Sequence, residues 1–126
     1  MHRLIYLRDK EKYGNQQDWT VNINEVIVKC YARRSDITNA WCGYVEIGDK
    51  KVDIDTLDVH GGITGGSTTS VGFDCAHCDD WTSGPDTSAE SITAHDMIRQ
   101  ITNPDGHYWT FPEVKDETER LAKQIY

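Results

Sequence analysis

Two short segments rich in β-branched and aromatic residues lie close together in the first half of the chain, EVIVKCYA at 25–32 and AWCGYVEIG at 40–48. Segments of this length and composition are typical of β-strands. The polar turn sequence RRSDITN joins them, and GDKK follows the second as a hairpin-type connection. This pattern constrains the chain to a fold built around a sheet of antiparallel strands.

Three further segments are predicted to be extended, at 52–55, 57–64 and 71–79. The second, LDVHGGIT, is interrupted by two consecutive glycines. In the third, VGFDCAHCD, the period of a strand places alternate side chains on one face, namely Val71, Phe73, Cys75 and His77.

Helical signals are confined to the last third of the chain. Thr87 with Glu90, and later Thr110 with Glu113, have the spacing of a capping box. Apolar residues recur at helical intervals after each box, at Ala94, Met97, Ile98 and Ile101, and then at Val114, Leu121 and Ile125 with Thr118 on the same stripe.

Strands first and helices last predict an α+β fold, with a mainly antiparallel sheet and C-terminal helices packed on one face. The length of 126 residues fits a single domain spanning 1–126. We interpret residues 1–20, which are mostly polar, as a peripheral N-terminal extension.

The charge balance excludes some classes of partner. The chain has 13 basic and 21 acidic residues, a net charge of −8, and lacks the basic patch of a general nucleic-acid binder. The start of the chain turns charged after a few residues, and no apolar run approaches the length of a membrane span. We therefore expect a cytosolic protein with reduced thiols and no membrane partner, and leave a homo-oligomer open.

The loop after residue 57 carries groups suited to binding an anion. His60 precedes Gly61 and Gly62, and Thr64 adds a hydroxyl. Glycines let consecutive backbone N–H groups approach a phosphate, and histidine exchanges a proton near neutral pH. The alternative is a β-bulge that requires glycine, with His60 merely exposed.

The segment after Phe73 supplies carboxylates beside a second imidazole. Asp74 and Asp79 flank His77, and a carboxylate can orient a catalytic histidine. The alternative is a solvated acidic loop, which we favour for Asp80. Trp81 and Trp109 lie near loops and are candidate walls of a pocket, whereas Trp41 and Tyr44 are predicted core residues.

The sequence CAHC raises the question of zinc. Cys75, His77 and Cys78 together with His60 could form a site, but a structural zinc site usually needs a second pair of ligands. The remaining cysteines, Cys30 and Cys42, lie in predicted strands and fit a core better. No cofactor is therefore required, and a divalent metal or zinc stays an alternative, as does Cys75 as a nucleophile.

Four segments in this order, CGYVEI, VHGGIT, GFDCAHCDD and a C-terminal helix ending LAKQIY, resemble a group of small bacteriophage-encoded proteins with an HGG-T and a GFDCAH-x-D motif. The resemblance spans residues 26–126 and departs at Cys78, where a small residue is expected. It implies a phage origin and residence in the cytoplasm of an infected bacterium. The motif positions that it selects are His60, Gly61, Gly62, Thr64, Asp74, Cys75, His77 and Asp79.

Phage accessory proteins often block host defences that signal through nucleotides. The leading hypothesis is therefore that this protein acts on such a nucleotide. The two motifs would converge on a small phosphate-bearing ligand. The predicted catalytic residues are His60, His77, Asp74 and Asp79, acting as a phosphodiesterase-like hydrolase. The predicted ligand-binding residues are Gly61, Gly62, Thr64, Cys75, Trp81 and Trp109. Three alternatives remain: a sponge that binds the nucleotide without turnover, an acidic protein that blocks a host factor, and a zinc-stabilised domain.

Overall fold

The computed structural model describes residues 2–77, 79–84 and 105–126. Within these ranges the chain forms two α-helices, a short 3-10 helix and a five-stranded sheet. The elements in chain order are α1 (His2–Tyr13), β1 (Gln16–Ile23), β2 (Val26–Arg34), β3 (Trp41–Glu46), the 3-10 helix (Ile54–Thr56), β4 (Gly65–Gly66), β5 (Ser70–Asp74) and α2 (Phe111–Ile125).

The sheet has the strand order β1-β2-β3-β5-β4, and every neighbouring pair is antiparallel. Strands β1 and β2 form a tight hairpin in which Ile23 pairs with Val26. Its two turn residues, Asn24 and Glu25, have φ values of 52° and 67°, as a turn matching the twist of the strands requires. The predicted α+β architecture is confirmed.

Helix α2 packs against one face of this sheet, as the sequence predicts. Its N-terminus carries the capping box formed by Thr110 and Glu113. The predicted stripe is buried, at Val114, Thr118, Leu121 and Ile125. A side chain at Gly43 on β3 would overlap both Thr118 and Phe73, so glycine permits the close approach of helix and sheet.

Alternation along the strands gives the sheet two different faces. The face toward α2 contributes Val28, Cys30, Ala32, Trp41, Val45, Val71 and Phe73 to the apolar core. The opposite face, called here the outer face, carries Tyr31 and Tyr44, whose rings stack with centroids 4.7 Å apart. Tyr44 is buried, although it lies outside the main core.

The N-terminal segment is an integral part of the fold. Strand β1 forms one edge of the sheet. The Asp9 carboxylate of α1 is buried and accepts hydrogen bonds from Trp41 Nε1 at 2.8 Å and the Tyr108 hydroxyl at 2.6 Å. It also accepts the N–H of Phe111, the first residue of α2, and forms an ion pair with Arg34. The interpretation of residues 1–20 as a peripheral extension is therefore wrong.

Two predicted extended segments take other structures. Residues 52–55 run into the 3-10 helix, where the Asp53 side chain accepts the N–H of Asp55 at 3.1 Å and so favours a turn over a strand. Residues 57–64 form a loop with a turn at His60 and Gly61. The helix predicted after Thr87 lies outside the described residues.

Candidate functional site

The loop that carries His60 folds back on itself beside the end of β5. Val59 is buried in the core and anchors the loop. Gly61 and Gly62 then have φ values of 69° and 81°, and the N–H of Gly62 donates to the carbonyl of Val59 at 2.9 Å. Because these backbone conformations favour glycine, the Gly-Gly sequence sets the direction in which the His60 side chain leaves the loop.

A buried carboxylate holds the His60 ring. Nε2 of His60 lies 2.9 and 3.0 Å from the two carboxylate oxygens of Asp80. Asp80 is only 1% exposed, and it also accepts the N–H of His77 at 2.9 Å. A carboxylate held in this way fixes the orientation of the imidazole and requires its Nε2 to carry a proton.

The second predicted histidine lies beside the first. The ring centroids of His60 and His77 are 5.5 Å apart, and the ring planes meet at 76°. A side chain at Gly61 would overlap the His77 ring, so the glycine makes room for this approach. The structure therefore brings the HGG-T and GFDCAH-x-D motifs together.

Asp74 lies close to His77. Its Oδ1 is 3.2 Å from Nε2 of His77, and both side chains are about one-third exposed, at 32% and 31%. The Nε2 atom itself is shielded from solvent, and the angle to Asp74 is not that of a hydrogen bond. The contact between Asp74 and His77 is therefore an electrostatic one and not a hydrogen bond.

One of the two predicted tryptophans reaches this site. Trp109 packs on the His60 ring, with centroids 4.3 Å apart and planes inclined by 33°. Trp81 is instead 1% exposed and belongs to an internal aromatic cluster with Tyr6 and Tyr108. The prediction of Trp81 as a pocket wall is therefore wrong, because its ring is fully used in packing.

Helix α2 fixes the loop from the other side through a residue that the sequence analysis missed. The backbone N–H of His60 donates to Oε2 of Glu117 at 2.7 Å. Hydrogen bonds from Arg120 lower the pKa of Glu117, and the bond from the His60 backbone lowers it further. Glu117 follows Val114 by three residues, so helical spacing places it near the buried side of α2, but spacing does not show that it meets the loop.

Three backbone amides of the loop predicted to grip a phosphate are already engaged within the protein. The N–H of His60 donates to Glu117, that of Gly62 to Val59, and that of Thr64 to the carbonyl of Gly72 at 3.0 Å. The site also contains the carboxylates of Asp74 and Asp80. An anion-binding nest in the glycine loop is therefore not supported by the geometry.

The two adjacent acidic residues exchange their expected roles. Asp79 is exposed, while Asp80 is buried and contacts His60. The favoured assignment of Asp80 to a solvated loop is therefore wrong. The sequence of two adjacent aspartates does not indicate which side chain is buried, because the backbone turn that contains them determines it.

Cys75 lies in the core rather than in the site. It is 1% exposed, and burial raises the pKa of its thiol well above the ordinary value. A neutral, enclosed thiol does not fit a nucleophile or a metal ligand. Among the residues that the structure describes, no group of three His, Cys, Asp or Glu side chains could hold a metal ion. Cys78 lies outside those residues.

No helix in the described ranges is long and apolar enough to cross a bilayer. Comparison with protein-family models, with curated proteins and with solved structures found no match.

Proposed function

We propose that His60 and His77 form an acid–base pair that hydrolyses a phosphoester bond in a small nucleotide-like ligand. One observation carries the proposal: two imidazoles lie 5.5 Å apart, and a buried carboxylate orients one of them. Both rings keep partial exposure, at 22% and 31% of their side-chain surface, so a ligand can reach them.

His60 is the general base. The Asp80 carboxylate can only accept hydrogen bonds. Nε2 of His60 therefore holds a proton, and Nδ1 keeps its lone pair. In hydrolysis Nδ1 takes a proton from the attacking water as the new P–O bond forms. Asp80 then stabilises the resulting imidazolium, which is the role of the orienting carboxylate in a catalytic triad.

His77 is the general acid. The Asp74 carboxylate lies beside this ring, 3.2 Å from its Nε2. As the P–O bond to the leaving group breaks, His77 gives the departing alkoxide a proton from Nδ1, because its Nε2 is shielded from solvent. Acid–base assistance of this kind contributes about 10²- to 10⁴-fold to a rate.

The resemblance to small bacteriophage proteins suggests the biological setting. In this proposal the protein acts in the cytoplasm of an infected bacterium, and the ligand is a nucleotide that signals host defence. Trp109, which stacks on His60, would form a flat wall beside the reacting bond.

Incubation with a panel of cyclic dinucleotides and ADP-ribose derivatives, followed by chromatography, tests the proposal. We expect the wild type to convert at least one compound and His60→Ala to leave it intact. His107→Ala is the matched control, because the His107 side chain is exposed, is paired with Glu113 and reaches the edge of Trp109. A ligand bound tightly and recovered intact would indicate a sponge, and no conversion by the wild type would end the enzyme proposal.

A further inference from the structure

A cavity of about 550 Å³ lies on the outer face of the sheet. Its polar lining includes Asn15, Gln16, Arg33, Asp36, Cys42 and Tyr44. Ligand pockets in proteins commonly have volumes of this order. The cavity offers a guanidinium, two amides and a phenol hydroxyl, which together suit an oxygen-rich ligand.

Arg33 and Arg34 both line this cavity, and Arg34 is already paired with the buried Asp9 at 3.2 Å. The Arg33 side chain lies with its guanidinium 5.2 Å from the centre of the Tyr44 ring, and within the described part of the chain it forms no ion pair with a carboxylate. The guanidinium of Arg33 can therefore donate a pair of hydrogen bonds to an anion.

A continuous row of cross-strand partners connects the cavity to the histidine site. Arg33 on β2 pairs with Cys42 on β3, and Cys42 pairs with Asp74 on β5. At about 4.8 Å between neighbouring strands, the backbones of Arg33 and Asp74 are roughly 10 Å apart. Asp74 in turn contacts His77, so this row of residues joins the cavity to the acid–base pair.

We propose that this cavity is the anion subsite of the enzyme and that Arg33 binds a phosphate group of the ligand there. The inference rests on the proposed function, since it assigns the substrate of that same site. The histidine site is poorly suited to hold an anion, because its carboxylates repel a phosphate and the N–H groups of His60, Gly62 and Thr64 are engaged. Gln16 and Asp36, which also line the cavity, can bind ribose hydroxyls.

Titration of ¹⁵N-labelled protein with AMP, adenosine and inorganic phosphate, followed by NMR, tests the inference without turnover. We expect saturable shifts at the amides of Gln16, Arg33 and Tyr44 with AMP, weaker shifts with phosphate, and the weakest with adenosine. Arg33→Gln should weaken AMP binding about 10-fold or more, since a charge-assisted fork is lost. Arg33→Lys, which keeps the charge but not the fork, should give an intermediate loss.

Lys29→Gln is the matched control, because Lys29 is an exposed cation on the same strand and face but lines other cavities. It should bind AMP like the wild type. Equal affinity of wild type and Arg33→Gln, or shifts confined to residues away from the cavity, would overturn the inference. Arg33-dependent binding with no conversion of any nucleotide would instead contradict the proposed hydrolysis, so the two failures are distinguishable.

Discussion

The Asp80 carboxylate meets the His60 imidazole from inside the fold, with both of its oxygens within 3.0 Å of Nε2. Asp80 is almost fully buried, and a charge in that position is costly unless it is hydrogen-bonded. The ring of His60 and the backbone N–H of His77 supply those bonds. Each motif therefore depends on the other for its local structure, and this dependence positions the two imidazoles.

Replacement of Asp80 by asparagine should impair catalysis far more than binding. The amide keeps the volume but no longer enforces a proton on Nε2, so the Nδ1 base is lost for part of the molecules. We expect a fall in turnover of about 10²- to 10⁴-fold. Asp79→Asn changes the neighbouring, exposed carboxylate and should leave turnover within a factor of about 2. Similar rates for the two variants would remove Asp80 from the mechanism.

Alanine substitutions at Gly61 and Gly62 separate two effects, the packing of His77 against position 61 and the backbone strain at both positions. Both Gly61 and Gly62 have positive φ, so alanine at either position costs on the order of 1–2 kcal/mol. A side chain at position 61 would also overlap His77, whereas position 62 faces open space. Gly61→Ala should therefore be the less stable of the two in chemical denaturation and should also lose activity. Equal stability would show that His77 does not pack on Gly61.

The buried pair of Asp9 and Arg34 should contribute strongly to stability. Asp9→Ala leaves the Arg34 guanidinium buried without its carboxylate and removes the acceptor for Trp41 and Tyr108. We expect a loss of about 3–5 kcal/mol in the free energy of unfolding. Lys115→Gln removes one member of a surface pair, Lys115–Glu119 at 3.9 Å, and should cost less than about 1 kcal/mol. A small effect of Asp9→Ala would show that α1 does not anchor the fold.

The cysteines of the described residues should differ in reactivity. Burial raises the pKa of Cys30 to about 12 and that of Cys75 well above its ordinary value. Burial also raises the pKa of the Cys42 thiol, but this residue is partly exposed at the outer-face cavity. Alkylation of the folded protein at pH 8 with peptide mapping should therefore modify Cys42 first, since access and thiolate fraction control the rate. Faster modification of Cys75 would place it in an open site and revive it as a nucleophile.

Glu117 should make stability depend on pH in the acid range. Its pKa in the folded protein is lowered, chiefly by the hydrogen bonds from Arg120, so its contribution is present above the unfolded-state pKa and is lost as pH falls through the folded-state value. The difference in unfolding free energy between wild type and Glu117→Gln should be constant above about pH 5.5 and shrink below it. A difference that grows as pH falls would contradict this sign.

The sequence predicts the fold best where apolar residues recur at the regular spacing of one strand or one helix. Strand β3 and the stripe of α2 follow directly from alternation and from a capping box. Strand β1, QQDWTVNI, was missed because its exposed edge carries polar residues, and its pairing with β2 overrides that weak local signal. Helix α1 was missed for a related reason. Its buried residues are Tyr6 and Asp9, and Asp9 is held by polar contacts, so the helix shows no apolar stripe.

At the site, the sequence predicted that His60 and His77 meet and that Asp74 lies near His77, but not that Asp80 holds His60. His60 and His77 carry a visible pattern of neighbouring glycines and aspartates. The partners Asp80 and Glu117 depend on the tertiary arrangement of a turn and a helix, which no local rule provides. The Arg33 cavity likewise arises from cross-strand neighbours that are distant in sequence.

The central claim is that Asp80 leaves the Nδ1 lone pair of His60 free, next to His77. Long-range ¹H–¹⁵N NMR of the imidazoles in the wild-type protein measures this directly, without knowledge of the substrate. The account predicts a neutral His60 protonated at Nε2 alone, with nuclear Overhauser effects between its ring protons and those of His77. A His60 protonated at Nδ1, or averaging between both forms like a free imidazole, with no contact to the His77 ring, would contradict it.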